Sequence, residues 1–154
     1  TAPIMFLLIA AQMYSRLLAL GGGVNYIQGL FVDSSLSPFM VIMLMGLIWL
    51  LLGMLIDSIS IILLTVPIFA PLAISMGYDP IAFAIFGILV IEAGLLSPPF
   101  GLLVYTVRGA VPDPTATLKK IFIGSAPYFV LILVAAALVL AFPILATLLP
   151  SALM

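Results

Sequence analysis

The chain has 154 residues, of which 66% are hydrophobic and 6% charged, and its formal net charge is −1. A soluble domain carries about 25% charged residues, so a soluble enzyme, a nucleic-acid binder and a disordered segment are excluded, and most of this chain has lipid as its solvent. Cysteine and histidine are both absent, which removes disulfides, thiolate metal sites, the usual zinc ligands and a Ser-His-Asp triad together.

The chain opens Thr1-Ala2-Pro3, with no initiator Met and no basic n-region. No signal peptide is expected, and the chain reads as a piece of a longer membrane protein. Residues 4–20 form a first apolar stretch of roughly spanning length, stopped by Gly21-Gly22-Gly23. Residues 24–32 set Val24, Ile27, Leu30 and Phe31 against Asn25 and Gln28, the pattern of a short interfacial amphipathic helix. Asp33-Ser34-Ser35 and Ser37-Pro38 punctuate next, and Pro38 suits a first helical turn.

Residues 38–56 are almost purely apolar, and Gly53-Met54-Leu55-Ile56-Asp57-Ser58-Ile59-Ser60 follows without a Gly-, Pro- or Asn-centred turn. A second apolar arm runs to about Met76, bent by Pro67 and Pro71. Two arrangements fit these arms. In one, both span fully and Asp57 caps a helix in an aqueous turn. In the other they form a re-entrant hairpin with Asp57 at its tip, free carbonyls at Gly53, Met54 and Leu55 on the incoming arm, and the positive dipole end of the outgoing arm capped by Asp57 or Ser58. An Asp inside an apolar run costs about 2.5–3.5 kcal/mol by insertion scales, and the plain character of the turn favours re-entrance.

Gly77-Tyr78-Asp79-Pro80 is a loop and helix start. The segment from Pro80 to about Gly109 would be about 45 Å long as one helix, against a core of roughly 30 Å. It is interrupted at Gly94-Leu95-Leu96-Ser97-Pro98-Pro99-Phe100-Gly101. Two prolines remove two donors, so carbonyls near Gly94 and Leu95 need protein, water or an ion; a plain kink and an ion-binding break both remain open. Glu92, one turn earlier, is an intramembrane carboxylate and so a functional candidate, with a satisfied internal hydrogen bond as the alternative. Gly87, Gly94 and Gly101 recur every seven residues, the pattern of a close-packing seam. Tyr78 and Tyr105 fit interfacial belts, and the Met40, Met43, Met45 cluster fits packing or lipid contact. Residues 110–118 are a polar loop. A last helix is expected over about 121–142, followed by an apolar tail broken by Pro143 and Pro150. Arg108, Lys119 and Lys120 flank one short loop, so the positive-inside rule puts that loop in the cytoplasm and the Gly77–Pro80 loop outside.

The runs Gly53–Ser60, Val66-Pro67-Ile68-Phe69-Ala70-Pro71, Gly77–Phe83 and Glu92–Gly101, in this order and spacing, resemble the large membrane subunit of the TRAP transporters, the DctM-like family of the ion-transporter superfamily. The likeness covers roughly residues 40–109, and the chain corresponds to about the C-terminal third of such a subunit. It implies an all-α polytopic fold, the second repeat of an inverted-repeat elevator transporter. Residues 1–36 would hold a transmembrane helix plus an interfacial helix, 37–76 a re-entrant hairpin, 77–109 a broken transmembrane helix, and 110–154 a cytoplasmic loop and a C-terminal scaffold helix. The implied function is sodium-coupled import of an organic acid, C4-dicarboxylate or sialic acid, with a periplasmic substrate-binding protein and a small four-helix membrane subunit as partners. The setting would be a bacterial or archaeal inner membrane. No enzymatic step, organic cofactor or nucleic-acid partner is expected. By the same likeness, sodium lies between tip and break, which points to Gly53, Asp57, Ser58, Gly94, Ser97, Pro98 and Gly101, with Ser58, Ser60 and Ser97 facing substrate. The family often has Thr where Ser97 stands; the hydroxyl is kept. A first hairpin and first broken helix would supply the rest of the pocket, so this stretch alone should not transport. The other reading is a non-transporting structural or assembly subunit, in which Asp57 is a cap and the proline pair a kink.

Overall fold

The computed structural model describes residues 2–32, 36–111, 115 and 117–153. Their regular structure is entirely helical: α1 (Ala2–Leu20), α2 (Gly23–Val32), α3 (Pro38–Gly53), α4 (Ser58–Ser75), α5 (Pro80–Leu96), α6 (Leu102–Ala110), α7 (Leu118–Ala141) and α8 (Ile144–Leu153). By length and apolar composition, α4 and α7 can each cross a membrane, whereas α3 and α5 are apolar but shorter.

The helix starts follow from short polar residues. The Ser37 hydroxyl accepts the Met40 N–H at 3.4 Å, with Pro38 in the first turn. One carboxylate oxygen of Asp79 accepts from Ile81 and Ala82, both at 2.9 Å, again with a proline in the first turn. Each of these side chains satisfies donors that a helix leaves open at its N-terminus. Between α4 and α5 the chain reverses through Gly77 at φ +87°, a conformation open to glycine and costly to residues with a β-carbon.

The core forms where α3, α4 and α5 meet. Val41, Ile42, Met45, Trp49, Ile61 and Ile91 are among its fully enclosed members. Trp49 is its centre, with ring centroids 5.3 Å from Phe69, 5.1 Å from Phe83 and 6.3 Å from Phe86. The indole N–H donates to the Thr65 hydroxyl at 2.7 Å, and that hydroxyl donates to the Ile61 carbonyl at 2.8 Å. The pair satisfies the polar end of a buried Trp and ties α3 to α4. α5 is the central helix, packed against α3, α4, α6, α7 and α8, and its most extensive interface is with α7.

The tail differs from the expected broken segment. α8 continues from Ile144 to Leu153, through Pro150. Pro143 stands just before it, and its carbonyl accepts from Ala146 at 2.9 Å and Thr147 at 3.1 Å. Proline at a helix start costs no hydrogen bond, and Pro150 forfeits only the one that its own N–H would make. Residues 33–35, which carry the expected Asp33-Ser34-Ser35 punctuation, lie outside the described residues, as do 112–114 and 116 in the 110–118 loop.

Candidate functional site

Two interruptions carry the polar chemistry of this apolar chain, and the fold brings them together. The first is the turn between α3 and α4. α3 tightens as it ends: Met54 donates to Leu50 at 3.2 Å, and Leu55 and Ile56 both donate to Leu52 at 2.9 Å. Among the described residues, no backbone N–H reaches the carbonyls of Gly53, Met54 or Leu55. Asp57 then caps α4. One of its oxygens accepts the Ser60 N–H at 3.0 Å and the other accepts the Ser60 hydroxyl at 2.6 Å. Ser60 is therefore engaged by Asp57, and Ser58 is half-buried beside it.

The second interruption lies between α5 and α6. It is narrower than the span 94–101, since Gly94 and Leu95 are still within α5 and only Ser97–Gly101 is irregular. The Pro98–Pro99 peptide bond is cis. Ser97 is buried and answers one carbonyl freed by the proline pair: both its N–H, at 3.0 Å, and its hydroxyl, at 2.8 Å, donate to the Gly94 carbonyl. The Leu95 carbonyl would be met in a continuous helix by residue 99, which is proline and has no N–H to give. Gly101 has φ +53° and begins α6 without a side-chain cap. The space a β-carbon would take there lies 2.7 Å from the Phe122 ring of α7.

The two sites join at a pair of glycines. A β-carbon on Gly53 would lie 2.6 Å from the Ile91 carbonyl oxygen and 3.0 Å from the Gly94 Cα; one on Gly94 would lie 2.6 Å from the Leu50 carbonyl oxygen and 2.8 Å from the Gly53 Cα. α3 and α5 thus cross in direct backbone contact where both are about to end, as small residues permit. Gly87, one seam step earlier, lies under Trp49: a β-carbon there would come within 2.6 Å of the indole.

The structure therefore unites Gly53, Gly94 and Ser97. No hydrogen bond links Asp57, Ser58 or Ser60 to the segment 94–101 among the described residues, and Pro98 is exposed. The candidate ligand atoms of the two interruptions are all oxygen: backbone carbonyls, the hydroxyls of Ser58, Ser60 and Ser97, and the Asp57 carboxylate. Oxygen-only sets of this kind suit a hard cation that exchanges its hydration shell for carbonyls. The cleft of about 230 Å³ between α3, α4 and α5, lined by Trp49, Ile62, Val66, Phe83, Gly87 and Ile91, among others, is apolar and offers an organic acid nothing to bind.

The sequence reading missed the Trp49–Thr65 pair. A Trp inside an unbroken apolar run signals it, because its N–H needs an acceptor, and Thr65 is a hydroxyl within the apolar second arm. Phe122 over Gly101 has no such signal.

A model of the tripartite ATP-independent periplasmic transporter DctM component family matches residues 1–145. The chain is 30% identical over 151 residues to the sialic acid TRAP transporter large permease protein SiaM of Vibrio cholerae, across 98% of this chain and 35% of that protein. It is 28% identical over 152 residues to the C4-dicarboxylate TRAP transporter large permease protein DctM of Pseudomonas aeruginosa, across 98% and 35% respectively. To a putative dicarboxylate transporter subunit of Paracoccus pantotrophus it is 31% identical over 153 residues, across 98% of this chain and 70% of that protein. The chain thus spans about a third of the first two relatives, at 35% of each. No solved structure matches.

Proposed function

The chain belongs to the DctM component family of tripartite ATP-independent periplasmic transporters, and from that premise we propose that it forms part of the permease subunit of a sodium-coupled importer of organic acids. In this reading α3 and α4 are a re-entrant hairpin and α5–α6 is a broken helix. The Gly53–Leu55 carbonyls, Asp57 and the Ser97 region supply oxygens to sodium, and Ser58, Ser60 and Ser97 lie toward substrate. The substrate class is a carboxylate such as sialic acid or a C4-dicarboxylate, as the names of the relatives suggest. A periplasmic binding protein and a small membrane subunit complete the system in the inner membrane. A moving unit containing hairpin and broken helix carries the site across.

The observation that carries the reading is the convergence of two helix interruptions at Gly53 and Gly94, with unanswered carbonyls on the tip side. Broken helices meeting inside a bundle are the preferred build of ion and substrate sites in secondary transporters. Length supports re-entrance: at 1.5 Å per residue α3 is about 24 Å long, short of the roughly 30 Å core.

The test is sodium titration of uptake by the full-length permease, reconstituted with its partners. Asp57→Asn keeps an oxygen for Ser60 but removes the charge. It is expected to raise the sodium concentration needed for half-maximal uptake while expression stays near wild type. An unchanged sodium requirement would reduce Asp57 to the helix cap that its bonds to Ser60 already make it.

A further inference from the structure

The carboxylate of Glu92 is used by neither interruption. It is half-buried, and its side chain makes no hydrogen bond or ion pair with any described residue. Glu92 is the sole charged residue of α5 and lies about 18 Å along the axis from Pro80 at 1.5 Å per residue. It continues a stripe of one helix face, Ile81, Ile85 and Ile88, at spacings of four, three and four. Ile81 is 41% and Ile88 48% exposed, whereas Phe83, Phe86 and Val90 on the opposite side are at most 4% exposed.

A bare isoleucine stripe by itself would fit lipid. A carboxylate at its end does not, because ionisable groups within a membrane face a protein interior or a water-filled cavity and pair there. α5 also has more buried residues than any other described helix, and it packs against α3, α4, α6, α7 and α8, with Ile88 at the edge of the apolar cleft it shares with α3 and α4. The permease relatives extend well beyond the 35% matched here.

We infer that the Ile81–Ile85–Ile88–Glu92 face of α5 is an internal interface, covered by a membrane-spanning helix from the part of the same permease polypeptide outside this stretch, and that this helix brings a hydrogen-bond-donating side chain to Glu92. The inference needs α5 to lie in the membrane but is independent of sodium coupling.

The test places a photoreactive benzoylphenylalanine at Ile88 in the full-length permease and irradiates intact membranes. The expected product is an internal cross-link between the peptide carrying position 88 and a peptide outside residues 1–154, with a donor side chain within one helical turn of the attachment point. Adducts with lipid, adducts with a separate subunit, or no protein adduct at all overturn it. A second measurement covers the carboxylate. Glu92→Gln, which still accepts and donates, should keep the wild-type thermal midpoint in detergent, and Glu92→Leu should lower it. A Leu variant as stable as wild type or more so overturns the donor partner. Sodium-dependent uptake is read in the same membranes, so a lipid-facing Ile88 with uptake intact removes this inference and leaves the proposed function standing.

Discussion

Gly94 is, with Gly53, one of the tightest positions among the described glycines. A β-carbon there would meet the Leu50 carbonyl oxygen at 2.6 Å and the Gly53 Cα at 2.8 Å. Both are backbone atoms, so no rotamer change relieves the clash and the helices must part. Overpacking of this kind costs about 1–3 kcal/mol. Gly94→Ala should therefore lower the thermal midpoint of the full-length protein and reduce uptake. Gly124→Ala is the control, since nothing lies within 4 Å of that position; alanine there should be neutral or gain up to about 1 kcal/mol in helix propensity. Equal behaviour of the two variants would remove the crossing as a tight contact. The seven-residue glycine spacing made a packing seam legible at Gly87 and Gly94. It did not reveal which helix lay opposite, because a seam repeats along its own helix and says nothing about its partner. Gly101 shared the spacing but not the seam: its positive φ starts α6 instead, since the proline pair ends the helical phase before it.

At the scale of the element, the break between α5 and α6 is the feature to perturb. Pro98→Ala with Pro99→Ala restores two donors and permits one continuous helix from Pro80 toward Ala110. Uptake should fall and the sodium requirement should rise. Ser97→Ala should cost less, because it removes only the hydroxyl that donates to Gly94, and Ser97→Thr should be tolerated. Sodium titration of uptake separates these cases. A folded double variant with the wild-type sodium response would make the break a packing kink. This element was legible because prolines act locally, through missing donors that need no knowledge of neighbours. What was not legible is how narrow the irregular part is. Ser97 answers the Gly94 carbonyl with its own N–H and hydroxyl, and this holds Gly94 and Leu95 in α5. α8 was missed for a related reason. Two prolines seven residues apart look like two breaks, but the first only starts a helix and the second falls late within it.

For the whole molecule, the apolar composition made the membrane class readable, and the polar punctuation located the helices. Their packing order depended on long-range contacts that no local pattern encodes. α7 illustrates this. Its broadest partner is α5, and no pattern within α7 itself points to that partner. Orientation is the testable global property. Arg108, Lys119 and Lys120 flank the loop that contains Thr115, and the positive-inside rule puts it in the cytoplasm. Thr115 is exposed, so Thr115→Cys should resist a membrane-impermeant maleimide added outside intact cells and react after permeabilisation. Ready labelling from outside would reverse the topology.

The glycine crossing also bears on time as well as space. A contact between side chains can loosen one rotamer at a time, but Gly53 and Gly94 have no side chains through which to loosen. Opening at one requires separation of two backbones, so the end of α3 and the end of α5 have one opening event between them. Amide hydrogen exchange should register this as shared protection: peptides covering Leu50–Met54 and Ile91–Leu96 should exchange at similar rates and respond together to denaturant, as members of one cooperative unit do. Exchange at Leu50–Met54 that outpaces exchange at Ile91–Leu96 would mean that the two helix ends open separately and that the crossing does not bind them into one unit.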